Sequence, residues 1–159
     1  MVEPATPESP LEQTYARVRE GNPYLQVLIG PQPDRETIAL ATFLAAAAPA
    51  RGTHFAAMAA QYKTDDAEVL VRSYLGSFVW LLASITVGPY FVDRRIPVLE
   101  LETLQVAISA SGSPEAIILP DQRFWCLPED PAADHADAVP ITDHETLSAL
   151  LRDNLVQFC

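Results

Sequence analysis

One long apolar segment, residues 65–87, most constrains what this chain can fold into. It reads DDAEVLVRSYLGSFVWLLASITV and is followed by Gly88-Pro89. Early carboxylates favour the positive end of a helix dipole and a Gly-Pro pair is typical of a helix end, so we predict a helix over 65–87 with Thr64 as its N-cap. From Tyr74 onward the segment is apolar almost all round. Such helices are normally buried on every side, and we expect this one to form the centre of a single core.

The size and composition of the chain predict one domain over residues 1–159. Of its 159 residues 49% are hydrophobic and 19% are charged, which excludes wholesale disorder and provides enough apolar surface for a core. The polar leader, residues 1–8, is expected to be frayed. Residues 128–141 are acidic, rich in proline and without periodicity, and we interpret them as a loop.

The charge of the chain argues against two classes of partner. Its formal net charge is −11, with 21 acidic and 10 basic residues. This balance opposes binding to a nucleic-acid phosphate backbone or to an anionic membrane surface. The longest strongly apolar run, 74–87, has 14 residues. Because a bilayer span needs about 20 apolar residues, we expect no membrane span.

Helical signals occupy much of the remaining N-terminal half. Ser9-Pro10-Leu11-Glu12 forms a capping box and predicts a helix to about Glu20. A second helix is predicted from an N-cap at Asp34 through the alanine-rich residues 35–48, and a third over 53–62. Between the first two, residues 23–29 form a short apolar run that we interpret as a strand or an extended packing segment.

After the central helix the periodicity becomes that of strands. Residues 96–101 and 104–110 are strand-like, 115–119 reads as the return strand of a hairpin, and 124–127 as a further strand. These segments suggest a small antiparallel sheet over about 96–127. The predicted fold class is therefore α+β, with a helical core around 65–87.

A last amphipathic helix follows a capping box at residues 142–145. Its apolar stripe consists of Leu147, Leu150, Leu151, Leu155 and Phe158. The stripe is still running where the sequence ends. We expect either that this helix would continue or that its apolar face contacts a second copy or another chain, which makes a non-catalytic interaction module one hypothesis for function.

The sequence offers little support for a metal site or a nucleophile. Cys126 and Cys159 are far apart and lie in no CxxC motif, so we expect reduced thiols in a cytoplasmic protein. His135 and His144 have carboxylate neighbours that could join them as metal ligands, but a solvated acidic loop explains them better. The chain contains no GxSxG or phosphate-binding glycine pattern, and a stand-alone hydrolase or transferase has no residue-level support.

The candidate ligand-binding residues are Tyr90, Arg94, Arg95 and Trp125. Arg94-Arg95 is the only basic pair and is flanked by aromatic residues, so it could hold an anionic group. The alternative is a solvated turn that pairs with surface carboxylates. Trp125 precedes the acidic loop and could line a groove, although packing over the sheet is the alternative.

Several stretches resemble the N-terminal region of the FhuF-like ferric siderophore reductase family. They are 74–83 in the long helix, 112–121 with its Gly-Ser-Pro turn, and 147–158 at the end. These stretches are patterns of apolar and turn residues, within a resemblance that extends over about two thirds of the chain. The resemblance implies a cytoplasmic protein that binds a ferric siderophore or a similar ligand.

The chain departs from that family at its cysteines. The resemblance implies a [2Fe–2S] cluster held by two adjacent cysteines and a further CxxC pair. Neither Cys126 nor Cys159 matches this pattern, and two thiolates cannot supply four ligands. We therefore expect no iron–sulfur centre in this chain, and the missing cysteines argue against reductase activity without deciding whether the chain is an enzyme. The resemblance remains compatible with a module that binds a siderophore or a protein, or with a fragment whose partner chain carries the cluster.

Overall fold

A computed structural model describes residues 9–44 and 50–157 of the chain. The helices are α1 (Pro10–Gly21), α2 (Leu40–Leu44), α3 (Ala50–Tyr62), α4 (Ala67–Asp93) and α5 (His144–Val156). The strands are β1 (Val27–Ile29), β2 (Thr37–Ala39), β3 (Ile96–Pro97), β4 (Gln105–Ile108), β5 (Pro114–Leu119), β6 (Phe124–Cys126) and β7 (Ala138–Pro140). The predicted α+β class is confirmed. The expected frayed leader, the predicted helical residues 45–48 and Phe158 lie outside the described residues.

Helix α1 forms as its local sequence predicts. The Ser9 hydroxyl accepts a hydrogen bond from the Glu12 backbone N–H at 3.2 Å, and the Glu12 carboxylate accepts one from the Ser9 backbone N–H at 2.9 Å. Leu11, Tyr15 and Val18 are buried on one face. Because the capping box and the spacing of apolar residues are both local signals, the start and the orientation of this helix follow from the sequence directly.

Helix α4 differs from its predicted bounds at both ends. Asp66, not Thr64, is its N-cap, since the Asp66 carboxylate accepts hydrogen bonds from the first-turn backbone N–H groups of Glu68 and Val69. At the other end the helix continues through Gly88 and Pro89 and stops at Asp93. The prediction that Gly88-Pro89 ends this helix is therefore wrong.

A hydrogen bond from α1 explains why α4 tolerates a proline. Pro89 has no N–H, so the carbonyl of Ile85, four residues earlier, loses its helical donor. The hydroxyl of Tyr15 donates to that carbonyl oxygen at 2.8 Å, and both groups are buried. Burial also raises the pKa of Tyr15 far above its usual value, so the hydroxyl stays protonated and remains a donor.

Gly88 permits α1 to come this close. A Cβ built at Gly88 would lie 2.8 Å from Cγ1 of Val18, closer than side-chain contacts allow. The glycine that reads as a helix stop in the sequence instead gives α1 room to pack. The Tyr15 bond and this contact together fix α1 against the C-terminal third of α4.

The strands form two mixed sheets rather than one small antiparallel sheet. The first has the order β1-β5-β4-β2, with β1 parallel to β5 and the other pairs antiparallel. The second has the order β3-β6-β7, with β6 and β7 parallel. The predicted β4–β5 hairpin is present. The added strands β1, β2 and β7 come from segments outside 96–127 in the sequence, and β7 lies within the predicted acidic loop.

The predicted second helix begins later than expected. Residues 37–39 form strand β2, which pairs with β4 so that Ile38 lies opposite Val106. The helix itself starts at Leu40, whose N–H donates to the Leu104 carbonyl oxygen at 2.8 Å. The β-branched residues Thr37 and Ile38 suit a strand, and pairing with β4 outweighs the helical signal of the alanines that follow.

The prediction that the central helix is buried on every side is wrong. One side of α4 packs against α1, β5 and α5, whereas Glu68, Val69, Val71, Arg72, Leu75, Gly76, Val79 and Trp80 are exposed. We call these eight residues the outer face. Apolar composition predicts burial only where neighbours exist to cover every side, and no described residue covers this one.

Helix α4 is also long and apolar enough, by length and composition alone, to cross a membrane. The mean hydropathy of its best 18-residue window is 1.6, and 33% of that window is buried. A long core helix passes the same test. The expectation that the chain has no membrane span therefore stays a prediction.

We predict that Tyr15→Phe lowers the free energy of unfolding by about 1–3 kcal/mol, because it leaves the buried Ile85 carbonyl without a donor. In a Pro89→Ala background the alanine introduced at this position has an N–H that can donate to that carbonyl, so the same substitution should cost less. Urea unfolding of the four variants measures both costs. Tyr24→Phe is the control, since Tyr24 is 78% exposed. Equal costs in the two backgrounds would contradict the assigned role of Tyr15.

Candidate functional site

A cleft of about 550 Å³ lies where α1, the end of α4 and the start of α5 meet the segment after β6. Its lining residues are Gln13, Arg17, Asp93, Arg94, Arg95, Leu127, Glu129, Asp130, Pro131 and His144. The volume falls within the usual range of small-molecule sites, roughly 300–1,000 Å³. Two of the four sequence-predicted ligand contacts, Arg94 and Arg95, line this cleft.

Arg95 forms the floor of the cleft and is held on several sides. Its Nε and Nη2 donate to the two carboxylate oxygens of Asp130 at 2.8 and 2.7 Å. Its Nη1 donates to the Pro10 carbonyl at 2.8 Å and to the Thr14 hydroxyl at 3.1 Å, and its guanidinium lies over the Phe124 ring. Arg95 is only 6% exposed. Its position is that of a structural link between α1, β6 and the following loop.

A second ion pair closes the α1 side of the cleft. The Arg17 guanidinium contacts the Asp93 carboxylate, which also accepts a hydrogen bond from the Thr14 hydroxyl at 2.6 Å. Arg95 Nη1 lies 3.9 Å from the same carboxylate. Asp93 ends α4, whereas Thr14 and Arg17 belong to α1. This polar cluster therefore holds α1 against α4 a second time, in addition to the Tyr15 hydrogen bond deeper in the core.

The buried pair of Arg95 and Asp130 is ionised at neutral pH. Burial opposes ionisation of Asp130, but hydrogen bonds from the Arg95 guanidinium and the Ala132 N–H outweigh it and hold the pKa of Asp130 below its usual value. The hydrogen bond to Asp130 likewise raises the pKa of Arg95, against the effect of burial. The pair therefore carries no free charge with which to attract a ligand.

Arg94 differs from Arg95 in its exposure, its polar contacts and its backbone conformation. It is exposed, and among the described residues its side chain makes no ion pair or hydrogen bond. It caps α4 in the left-handed conformation, with φ 56° and ψ 35°, which is rare for residues other than glycine. Its guanidinium lies 5.0 Å from the centre of the Tyr90 ring. Backbone strain at a cleft with an exposed cation marks this position as a candidate for function.

The two aromatic candidates lie beside the cleft rather than in its lining. Tyr90 and Trp125 are partly buried and pack against the cluster of Ile96, Leu127 and Leu147. The Tyr90 hydroxyl lies 3.1 Å from the Ser148 hydroxyl. Tyr90 is linked to the cleft through Arg94, which lies over its ring, and Trp125 through the cluster that contains the lining residue Leu127. Ligand contact by Tyr90, Arg94, Arg95 and Trp125 stays a prediction, and the geometry favours Arg94 among them.

Sequence reasoning missed the α1 and loop residues of the site. Arg17 is one of several arginines in the N-terminal half, and Asp130 is one of several acidic residues in the segment interpreted as a loop. Only the fold brings them to Arg95. The sequence feature that comes closest to marking Asp130 as a site residue is its position between Pro128 and Pro131. In the structure this segment forms a short turn, in which the Asp130 carboxylate accepts a hydrogen bond from the Ala132 N–H at 2.7 Å.

The described residues do not fit the iron–sulfur cluster that the resemblance implies. Cys126 is fully buried, and burial, reinforced by the nearby Asp130 carboxylate and opposed by Arg95, raises its pKa to about 11. A thiol in this environment stays protonated at neutral pH, whereas cluster ligation needs thiolates. Within residues 9–44 and 50–157 no three His, Cys, Asp or Glu side chains come together as a metal site. Cys159 lies outside the described residues.

Most of the apolar stripe on the last helix is covered within the chain. Leu147 is buried, and Leu150 and Leu151 are partly buried against the cluster that contains Ile96 and Leu127. Leu155 is also partly buried. Contact of this stripe with a second copy or a partner chain stays a prediction. The outer face of α4 is the larger exposed apolar surface.

Comparison of the chain with protein-family models, curated proteins and solved structures finds no match.

We predict that Asp130→Asn removes part of the acid sensitivity of the fold. Because the folded pKa of Asp130 is lowered, its pair with Arg95 stabilises fully above the ordinary carboxyl pKa of about 4, and this stability is lost as the pH falls through the folded value. The substitution should cost about 3 kcal/mol at pH 7, since it takes from the buried Arg95 guanidinium its bidentate carboxylate and leaves only the Asp93 carboxylate, 3.9 Å away, to balance the charge. Below about pH 4 the variant should then lose less further stability than the wild type.

Urea unfolding at pH 7 and across the acid range measures both effects. Asp121→Asn is the matched control, because Asp121 pairs with Arg123 at the surface, where the two side chains are 40% and 45% exposed. The control should change stability by less than about 1 kcal/mol. An Asp130→Asn variant as stable as the control at pH 7, with an unchanged acid limb, would contradict the assigned role of the buried pair.

Proposed function

We propose that this chain is a binding module that takes an anionic small molecule in the cleft beside Arg94. The resemblance suggests the class of ligand, a ferric siderophore or a related anionic iron complex. The observation that carries the proposal is an exposed guanidinium, on a strained backbone, at a cleft of about 550 Å³. We propose binding without a redox centre of the chain's own, and assign no catalytic residue.

The charges of the cleft favour one end for the anionic part of a ligand. Arg17 is neutralised by Asp93 and Arg95 by Asp130, which leaves Arg94 and Glu129. Glu129 is associated with His144, whose Nε2 lies 3.9 Å from its carboxylate. An anionic group is therefore attracted to the Arg94 end and repelled from Glu129.

The surroundings of Arg94 suit an aromatic, oxygen-rich ligand. A planar guanidinium can donate two parallel hydrogen bonds to a pair of anionic oxygens, such as those of a catecholate. The ring of Tyr90 and its edge-on neighbour Phe91, which is 69% exposed, supply apolar surface beside it. This combination of one cation and accessible rings supports an aromatic chelator over a simple inorganic anion. We further propose that binding takes place in the cytoplasm.

We predict that Arg94→Glu weakens binding of a ferric tris-catecholate complex at least tenfold, because it replaces the attracting cation by a repelling carboxylate. Isothermal titration calorimetry measures the affinity without interference from the colour of the complex. Arg152→Glu is the matched control, since Arg152 is an exposed arginine on α5 outside the cleft. The control should bind as the wild type does.

Arg94→Gly separates binding from stability. It should also weaken binding, yet glycine relieves the left-handed strain, which costs about 1–3 kcal/mol at other residues, so the free energy of unfolding should not fall. No binding of tris-catecholate or tris-hydroxamate complexes by the wild type would contradict the proposed function. Equal weakening by Arg94→Glu and Arg152→Glu would show a general charge effect and contradict the proposed site.

A further inference from the structure

The outer face of α4 carries a cluster of apolar side chains that no described residue covers. Val69, Val71, Leu75, Val79 and Trp80 are between 41% and 62% exposed. At 3.6 residues per turn they spread over about three turns and about half the circumference of the helix, and Val69, Val79 and Trp80 lie nearest to Gly76. Contiguous apolar surface of this kind is uncommon on monomers and marks a contact surface.

We propose that a second copy of this chain covers the part of the outer face around Gly76, with the two α4 helices antiparallel and crossing at that residue. This inference is independent of the proposed ligand site, which lies at the other end of the helix.

Around Gly76 the order of residues is self-complementary in the antiparallel orientation, once the half-buried Ser73 and Ala83 at the edge of the outer face are included. With a two-fold axis at Gly76, residues equally far before and after it come together. Arg72 and Trp80 are both four positions from Gly76, so each guanidinium would lie against the indole of the other copy. By the same rule Val79, the most exposed apolar residue of the outer face, meets the small, half-buried Ser73. Each side of such a pair is the same surface patch, as a two-fold interface requires.

Charge selects this orientation over the parallel one. The Arg72 guanidinium lies 2.8 Å from the Glu68 carboxylate within the same helix, one turn apart. A parallel pair in register would place Arg72 against Arg72 and Glu68 against Glu68, which is repulsive. The antiparallel pair keeps each ion pair intact and places it against uncharged residues of the partner.

Gly76 provides a separate indication that another helix approaches here. Glycine in a helix interior is unfavourable relative to alanine. Within the described part of the chain nothing explains it, because a Cβ at Gly76 would have no atom within 4 Å. Gly88, on the same helix, is a comparison within this chain, because the absence of a Cβ there lets Val18 of α1 pack against the α4 backbone. An exposed glycine among apolar side chains fits close approach by a second helix.

A second copy fits the outer face better than a lipid surface does. The face carries the ion pair of Glu68 and Arg72 among its apolar residues, and sinking this face into the acyl region of a bilayer would take both charges out of water. The formal net charge of −11 also opposes contact with anionic lipid. Because two copies repel each other through the same net charge, added salt should strengthen the association.

Analytical ultracentrifugation over a concentration series tests the association. The wild type should show a monomer–dimer equilibrium that Val79→Glu weakens at least tenfold. Val156→Glu is the matched control, since Val156 on α5 is 61% exposed and Val79 is 62% exposed. Circular dichroism establishes that both variants are folded. Gly76→Ala should raise the melting temperature of the monomer and still weaken the dimer.

Disulfide trapping tests the orientation. In a Cys159→Ser background, Arg72→Cys and Trp80→Cys proteins are mixed and oxidised. Antiparallel packing predicts more of the mixed 72–80 disulfide than of either homodimer, whereas parallel packing predicts the homodimers. A wild type that is monomeric at all concentrations, or equal weakening by Val79→Glu and Val156→Glu, would overturn the proposal. Binding of the monomer to phosphatidylcholine vesicles, lost in Val79→Glu, would overturn it in favour of a membrane surface.

Discussion

The hydrogen bond from Tyr15 to the Ile85 carbonyl is the interaction on which the arrangement of this fold depends. Pro89 removes the donor that the carbonyl would have in a regular helix, and α1 replaces it from outside. A helix can thus run through a Gly-Pro pair that would otherwise end it. The same contact fixes α1 against the last turns of α4, with Gly88 giving Val18 the space it needs.

The position of α1 then determines the cleft. Thr14 and Arg17, on the helix held by Tyr15, meet Asp93 at the end of α4, and Arg95 joins them to the loop after β6. These groups pair with one another and form a nearly neutral floor and wall. Arg94 is the exception at the rim, with an exposed cation and a strained backbone. The two adjacent arginines therefore differ in kind: one holds the fold together, and the other is the one we propose to face a ligand.

Short sequence patterns correctly predicted those elements that are stabilised by interactions between residues close together in the sequence. The capping box at Ser9, the buried face of α1 and the hairpin of β4 and β5 could be read from the sequence. The passage of α4 through Pro89 could not, because the donor that permits it lies 70 residues from the carbonyl it serves. Likewise, residues 37–39 form a strand only because β4 offers a partner. Exposure of Trp80 depends on what the rest of the chain covers, which composition alone does not specify.

The most direct test of the proposed binding site is a nuclear magnetic resonance titration of the ¹⁵N-labelled chain with a gallium tris-catecholate complex, a diamagnetic stand-in for the ferric one. We expect amide shifts to change around Arg17, Arg94, residues 127–131 and His144, whereas the outer face of α4 is unaffected. Shift changes centred elsewhere, or none at saturating complex, would contradict the assignment of this cleft as the binding site.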